Sequence, residues 1–479
     1  MENNLYSKIA DQTIKQIKDK VYKPGDKLPS VRAMAKRRSI SVATVLSAYN
    51  ILEDRGFVEV KPKSGYYVRR SPSRRHDLPS ISQEASQPKS IAKADRILQV
   101  VRDCANPDFI NLSLASPDGS FLAINQLKKS FSSIIRNKKV FGIGYDDPKG
   151  DESLRAELAK RSIDSGMLIS PDEIIITPGC QNAIELSLRA LTRPGDIVAV
   201  ESPGYYGLLQ LIEVCGLKAI EIPANVETGI SIDALKLALE QWPIKTIISI
   251  PSCNNPMGSI MPDKNKKKIL ELIYSYNIPL IEDDIYADLT YQEKRPRTIK
   301  SFDTKGQVIL CSSVSKTVDP GLRVGWVIPG AYQKEIEYQN FVTNINTARA
   351  PQLAVAALLS HGGYDRHLRF AREAYRQRKD QLLDLIDEHF PKETRLSNPK
   401  GGFVLWVQFP EEVSAYKLYL DARSKKISIS PGYLFSLDDS KYHSSIRLAY
   451  SQPWSNKHIE AIKILGELIS KQIESSRVG

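Results

Sequence analysis

Seven short apolar runs recur through the middle of the chain, at 174–177, 197–200, 218–222, 246–250, 279–281, 308–311 and 323–328. Several are separated by stretches whose apolar residues recur at helical spacing. Short runs rich in Ile and Val describe strands covered on both faces. Strands that alternate with helices predict an α/β architecture, a mostly parallel sheet with helices on its faces. Such a sheet also fixes where chemistry can sit, because sites in it form at the carboxyl ends of the strands. With 479 residues, 42% of them hydrophobic, the chain can bury a large core and is too long for one ordinary domain.

The residues that carry chemical promise stand where these runs end. Lys316 lies in Ser313-Val314-Ser315-Lys316-Thr317, just after the run 308–311, with Arg323 seven positions on. A lysine on a loop among small hydroxyl residues, with an arginine nearby, suits a Schiff base with a phosphorylated aldehyde cofactor. Thr177-Pro178-Gly179-Cys180-Gln181-Asn182 follows the first run and opens a helix, so its N–H groups and the helix dipole would cradle a phosphate. Tyr205 could stack on a planar ring. Asp283 and Asn255 each follow a run. An acid at a strand end can keep a pyridine nitrogen protonated, and Tyr286 and Asn255 can hydrogen-bond a phenolate oxygen. Each residue alone is more often structural; the order and placement of the whole set point to a site.

The net charge of +12 is unevenly spread. Residues 1–75 carry 17 Lys+Arg against 7 Asp+Glu, which is +10 of the total. That is the electrostatic footprint of a nucleic-acid-binding module on a nearly neutral body. Within 6–21, Ile9, Ile14, Ile17 and Val21 approach helical spacing. Ser30 is placed to cap a second, short helix, Arg38-Ser39-Ile40 makes a turn, and Ser41 caps a third helix to about Asp54 with the stripe Val45, Ala48, Tyr49, Leu52. Residues 57–60 and 66–68 alternate around Pro62-Lys63-Ser64-Gly65, a hairpin wing. The Ser-, Pro- and Gln-rich span 71–92 reads as a flexible tether. No run of 18 apolar residues and no signal-peptide core occur, and the five cysteines include no CxxC pair. A reduced, cytoplasmic setting is expected, with no membrane span and no metal centre.

The N-terminal segment resembles the GntR-type winged helix, through Pro-Gly-Asp-Lys-Leu-Pro-Ser-x-Arg, Ser-x-x-Thr, Leu-Glu-x-x-Gly-Phe-Val and Lys-Ser-Gly-Tyr-Tyr-Val. The resemblance implies that Ser30 and Arg32 contact phosphate. It also implies that Ser41, Val42, Ala43, Thr44 and Ser47 face the major groove, with Lys63 and Gly65 at the minor groove. Val42 and Leu46 stand where arginines are common in that class, so bidentate reading of guanine is absent there, and Val42 and Ala43 could touch thymine methyls.

From residue 95 onward the chain resembles a fold-type I pyridoxal-phosphate aminotransferase. The matching motifs are Gly144-Tyr145-Asp146-Asp147-Pro148, Pro178-Gly179-x-Gln181, Asn255-Pro256-x-Gly258, Glu282-Asp283-Asp284-x-Tyr286, Ser313-x-Ser315-Lys316-Thr317 and Gly401-Gly402-Phe403. The resemblance implies a Schiff base on Lys316, Asp283 on the pyridine nitrogen, and Asn255 and Tyr286 on the phenolate oxygen. It implies too that Tyr205 stacks on the ring, and that Gly179, Cys180, Gln181, Ser313, Ser315 and Arg323 hold the phosphate. By the same resemblance Arg447 is expected to receive an amino-acid carboxylate, and Tyr145 to reach the phosphate of a neighbouring subunit. The two parts together resemble the MocR-type regulators. That implies a winged helix over 1–70, a tether over 71–92 and an aminotransferase-like body over 93–479, with a large domain at about 140–350 and a small domain from the rest. It further implies a homodimer with swapped DNA-binding arms. The expected function is regulation of transcription at a double-stranded operator, with pyridoxal phosphate or an amino compound as effector. The competing expectation is a working aminotransferase with an accessory DNA-binding domain.

Overall fold

The computed structural model describes residues 5–478 except 20, 24, 55–56, 62–63, 69–75, 81–86, 90–93, 121–123, 137–143 and 361. The chain forms two compact units, Met1–Arg75 and His76–Gly479.

In the first unit, helices Leu5–Lys18, Val31–Arg38 and Val42–Asp54 precede an antiparallel hairpin, Val58–Lys61 with Gly65–Val68. Ser30 caps the second helix, its hydroxyl accepting from the Ala33 N–H at 3.2 Å. Ser39 ends that helix in the left-handed conformation (φ 52). Ser41 accepts from the Thr44 N–H at 3.0 Å. The stripe Val45, Ala48, Tyr49, Leu52 is buried against Ile9, Ala10, Ile14, Leu28, Met34, Val58 and Val68. Tyr49 donates its hydroxyl to the Pro29 carbonyl at 2.9 Å, so one stripe residue also ties the third helix to the turn before the second. Val21 was expected on the first helix's buried stripe. It is instead exposed, because the helix ends at Lys18.

The second unit is built on an eight-stranded sheet in the order Ile175–Thr177, Gly325–Ile328, Val308–Ser313, Leu280–Asp283, Ile244–Ser249, Ile197–Ser202, Lys218–Asn225, Gly229–Ile230. The four neighbouring pairs from Val308–Ser313 to Lys218–Asn225 are parallel. All seven apolar runs are strands of this sheet. Gly325–Ile328 runs antiparallel to both its neighbours. Successive residues pack on opposite faces: Val198, Ile248, Ile281 and Ile309 meet helices Cys180–Leu191 and Tyr206–Val214, whereas Ala199, Ile247, Leu280 and Val308 meet Ile232–Gln241 and Asp263–Tyr276. A separate four-stranded sheet, Arg395–Leu396, Val404–Gln408, Ser445–Ala449, Ser430–Pro431, lies beyond the 27-residue helix Gly363–His389.

Two stretches of the expected tether are fastened to this body. The ring of His76 bonds the Asp387 carboxylate and, through Nδ1, the Thr394 carbonyl at 2.8 Å. The Leu396 N–H donates to the Asp77 carbonyl at 3.0 Å. Lys89 and Ala219 exchange two backbone hydrogen bonds. The body therefore begins at His76 rather than at residue 93, because His76, Asp77, Ser80 and Lys89 find backbone or side-chain partners on it. Residues 71–75, 81–86 and 90–92 of that span lie outside the described residues.

Candidate functional site

Parallel strands point their carboxyl ends the same way, so the loops after Thr177, Ser202, Ser249, Asp283 and Ser313 converge on one edge of the sheet. The antiparallel strand Gly325–Ile328 begins at that edge, which brings Arg323 there too. A cavity of about 160 Å³ opens between these loops. Cys180, Gln181, Tyr205, Asn255, Asp283, Tyr286, Ser315, Lys316 and Arg323 line it, with Ile184, Ile250, Ile285 and Pro320 as apolar wall.

The far end of the cavity is a polar cradle. Gly179 begins the helix Cys180–Leu191 with φ 99, and a Cβ there would lie 2.4 Å from Arg323 Nη2. A Cβ on Gly325 would lie 2.5 Å from the Gly179 carbonyl carbon, so both glycines are required by close approach. Arg323, itself left-handed (φ 51), donates to the Pro178 carbonyl at 2.7 Å and to the Ser315 hydroxyl at 3.5 Å. Ser313 and Ser315 share a hydroxyl contact at 2.7 Å. The first turn of a helix, a guanidinium and the Ser315 hydroxyl thus meet at one end of the cavity, with Ser313 behind Ser315, and groups of this kind favour an anion.

At the other end stands Lys316, whose ammonium donates to the Ala115 carbonyl at 2.5 Å. Burial, together with the positive charge of Arg447, pushes its amine down to about 8. Asp283 ends its strand and Asp284 follows it, and the two carboxylates enter different surroundings. Asp283 lines the cavity, accepting from the Cys180 thiol at 3.3 Å and from the Ile285 N–H at 3.2 Å, and burial raises its carboxyl to about 6. Asp284 instead pairs with Arg295 and borders a second, smaller void of about 40 Å³ with Asp288 and Tyr364. The Tyr286 hydroxyl is buried with no hydrogen-bond partner among the described residues, and its ring is held edge-on by Phe403 at 5.6 Å.

Arg447 comes from the four-stranded sheet and is 1% exposed. It donates to Asn255 Oδ1 at 3.0 Å, to Ser430 Oγ at 3.1 Å and to the Ser113 carbonyl, while its Nε has no partner among the described residues. Phe435 packs on the guanidinium at 5.2 Å. Tyr145 is not brought to the cavity; it is 80% exposed.

Sequence reasoning missed Ala115, Ser113 and Ser430, which carry no local signal. It also missed Glu201, which receives the Ser249 hydroxyl, the Ile250 N–H and the Asn254 amide from behind the Asn255 loop. An acid ending the apolar run of a buried strand was the available clue to Glu201.

In the first unit, Ser30, Arg32, Ser41, Val42, Ala43 and Ser47 are all exposed, with Val42 at 50% and Leu46 at 44%. Thr44 is half-buried and shares a 2.7 Å contact with the Ser41 hydroxyl. Gly65 is half-buried at the start of the wing's second strand with φ 115; Lys63 lies outside the described residues. Among the described residues, no helix is long and apolar enough to cross a membrane, and no three His, Cys, Asp or Glu side chains are grouped to hold a metal ion.

The sheet order, the strand-end lysine and the anion cradle define a fold-type I aminotransferase body. The family model of class I and II aminotransferases matches residues 108–462, and that of bacterial regulatory proteins of the gntR family matches residues 5–68. YjiR of Escherichia coli K12, an uncharacterised HTH-type transcriptional regulator, is 38% identical over 98% of this chain and 99% of its own length. The HTH-type transcriptional regulator NorG of Staphylococcus aureus is 28% identical over 91% and 97%. Among solved structures, the kynurenine aminotransferase of Pyrococcus horikoshii in complex with PMP superposes with a TM-score of 0.73 at 28% identity, over 80% of this chain and 95% of that one. The chain belongs to the class I and II aminotransferase family, in the MocR-type branch of regulators that carry a gntR winged helix in front of that body. Pyridoxal phosphate is the cofactor of this body.

Proposed function

We propose that the protein regulates transcription by sensing pyridoxal phosphate, alone or joined to an amino compound, and that it does so as a homodimer on double-stranded DNA. The observation that carries this reading is the coexistence on one chain of a cavity lined by Lys316, Asp283, Asn255, Tyr286 and Arg323 and a winged helix on which Ser41, Val42, Ala43 and Ser47 are exposed. The cavity fits the cofactor on its own terms. The unpartnered Tyr286 hydroxyl and the Asn255 amide would take the phenolate oxygen, Asp283 the pyridine nitrogen, and the Gly179–Ser315–Arg323 cradle the phosphate. Bound there, the cofactor supplies an electron sink and an aldehyde carbon for Lys316 to attack. The chain's own part is to hold Lys316 with a lowered pKa, keep Asp283 against the ring nitrogen, and offer Arg447 to a carboxylate.

Tyr205 would cover the ring face, with Gly179, Cys180, Gln181, Ser313, Ser315 and Arg323 around the phosphate. The exposure of Tyr145 supports a role across the dimer, toward the other protomer's cavity. On the DNA side, Ser30 and Arg32 would meet phosphate, and Ser41, Val42, Ala43, Thr44 and Ser47 the major groove. The wing residues Lys63 and Gly65 would meet the minor groove, in a cytoplasmic setting. The second reading, an active aminotransferase, is favoured by the intact Lys316, Asp283 and Arg447. Turnover of a panel of amino acids against 2-oxoglutarate, run beside operator binding with and without pyridoxal phosphate, separates the two. A cofactor-dependent change in DNA affinity without multiple turnover supports the regulator; sustained turnover with DNA affinity indifferent to the cofactor overturns it.

A further inference from the structure

The segment that leads out of the DNA-binding unit is fixed to the body at two places, and the places differ in kind. The first, 76–80, lies on the four-stranded sheet and the end of the long helix before it. His76 is a buried partner of Asp387, with side-chain exposures of 7% and 6%. Its other ring nitrogen bonds the Thr394 carbonyl, and the Asp77 carbonyl accepts from Leu396, a residue of that sheet. Ser80 and Gln408 of the same sheet exchange two hydrogen bonds, at 2.7 and 2.6 Å. The second anchor, Lys89, bonds Ala219 in both directions, at 3.0 and 3.1 Å. Ala219 belongs to the eight-stranded sheet. The Lys89 ammonium also meets Asp438 at 3.3 Å.

The cavity is lined from the eight-stranded sheet, and the four-stranded sheet reaches it through Arg447, which donates to the lining residue Asn255 at 3.0 Å. Lys316, Asp283 and the anion cradle follow strands of the eight-stranded sheet, and Arg447 is part of the four-stranded one. An amino compound that reached both Lys316 and Arg447 would couple the positions of the two sheets. A ligand and the anchored segment therefore span the same pair of bodies.

We propose that 76–80 and 87–89 are paired anchors through which the cavity controls the DNA-binding unit. Any change in the relation of the two sheets on cofactor or ligand binding moves one anchor against the other, and with it His76, where the chain from the winged helix enters the body. This inference rests on the regulatory reading above and adds the route by which the cavity acts.

The test uses the full-length protein, a duplex selected by it from random sequence, and pyridoxal phosphate as the probe. Three arms are needed. Hydrogen exchange of the Leu396, Lys89 and Ala219 amides reads the anchors directly: slow exchange is expected at all three. Exchange at free-peptide rates at Leu396 and Lys89 would show the anchors absent and sink the inference while leaving the regulator intact. The ratio of duplex Kd without and with pyridoxal phosphate reads the response; a wild-type ratio of one removes the regulatory reading and this inference together. The third arm is two variants, His76→Ala and an insertion of six Gly/Ser residues between Arg75 and His76, the latter leaving both anchors in place but separating His76 from the DNA-binding unit. With cofactor affinity within threefold of wild type, both should bring the Kd ratio to within twofold of one. Wild-type ratios in the insertion variant overturn the inference, whatever His76→Ala does to folding.

Discussion

Lys316 shows how two neighbours set one amine. Burial and the Arg447 charge lower its pKa to about 8, while Asp283 opposes them. The reactive form is the neutral amine, so its population grows as pH rises through that value. The rate at which cofactor-free protein captures pyridoxal phosphate should therefore climb with pH to a plateau above about 8, falling ~tenfold per unit well below it. Stopped-flow absorbance reads it; a midpoint near the free-lysine value would contradict the assignment. Arg447→Ala removes a like charge and should move that midpoint upward. The same variant should keep the cofactor but lose the spectral response to amino acids, since a charge-assisted contact whose partner stays buried is worth ~2–5 kcal/mol. An unaltered response in titrations with those amino acids would deny Arg447 the carboxylate. Gly179→Ala places a Cβ 2.4 Å from Arg323 in a backbone region with φ 99. Strain of ~1–3 kcal/mol is expected there. It should appear as weaker cofactor binding, by tenfold or more, in an absorbance titration.

At the scale of elements, the winged helix depends on caps that the sequence declares. Ser30→Ala removes the acceptor for the Ala33 N–H, and the loss should be ~1 kcal/mol of stability in the N-terminal unit, measured by its thermal transition. The turn that follows the cap carries exposed Arg32. Arg32→Ala should weaken binding to all duplexes alike and lower the salt dependence by about one charge. Loss of discrimination between duplexes in that variant would mean that Arg32 reads bases. The strands of the body were legible for a different reason. Buried parallel strands are short, apolar and bounded, so 308–311 and 279–281 announce themselves. The reversed direction of Gly325–Ile328 was not legible, because strand direction is set by the path of the connection and not by the residues within it.

For the whole molecule, the first unit has its own core, with Val45, Ala48, Tyr49 and Leu52 packed on Ile9, Ile14, Leu28 and Val68. A 1–75 fragment should therefore fold, and in the intact chain this unit should give a transition separate from the body's. With Val42 and Leu46 where guanine-reading arginines could stand, each module discriminates modestly, so the fragment should bind its duplex far more weakly than the full chain. Equal affinity and selectivity would overturn the dependence of DNA binding on the aminotransferase-like body.

The sequence by itself determined what depends on near neighbours along the chain. The caps at Ser30 and Ser41, the two-faced burial of Ile247 and Ile248, and the placement of Gly179, Asp283 and Lys316 at strand ends all follow from local periodicity and from the residues that end a strand or open a helix. The tertiary structure decided what depends on segments far apart. Asp283 and Asp284 are equivalent in composition, but the first ends a strand beside the cavity and the second lies just past it against Arg295, and only the packed body says which of them reaches the cavity. The partners of Arg447, Ser113 and Ser430, and the carbonyl of Ala115 on Lys316, come from distant loops with no motif of their own. The same holds for His76. In sequence it stands in a polar, Pro- and Ser-rich stretch that reads as a tether, and only the folded body supplies Asp387 and Thr394 to bury it.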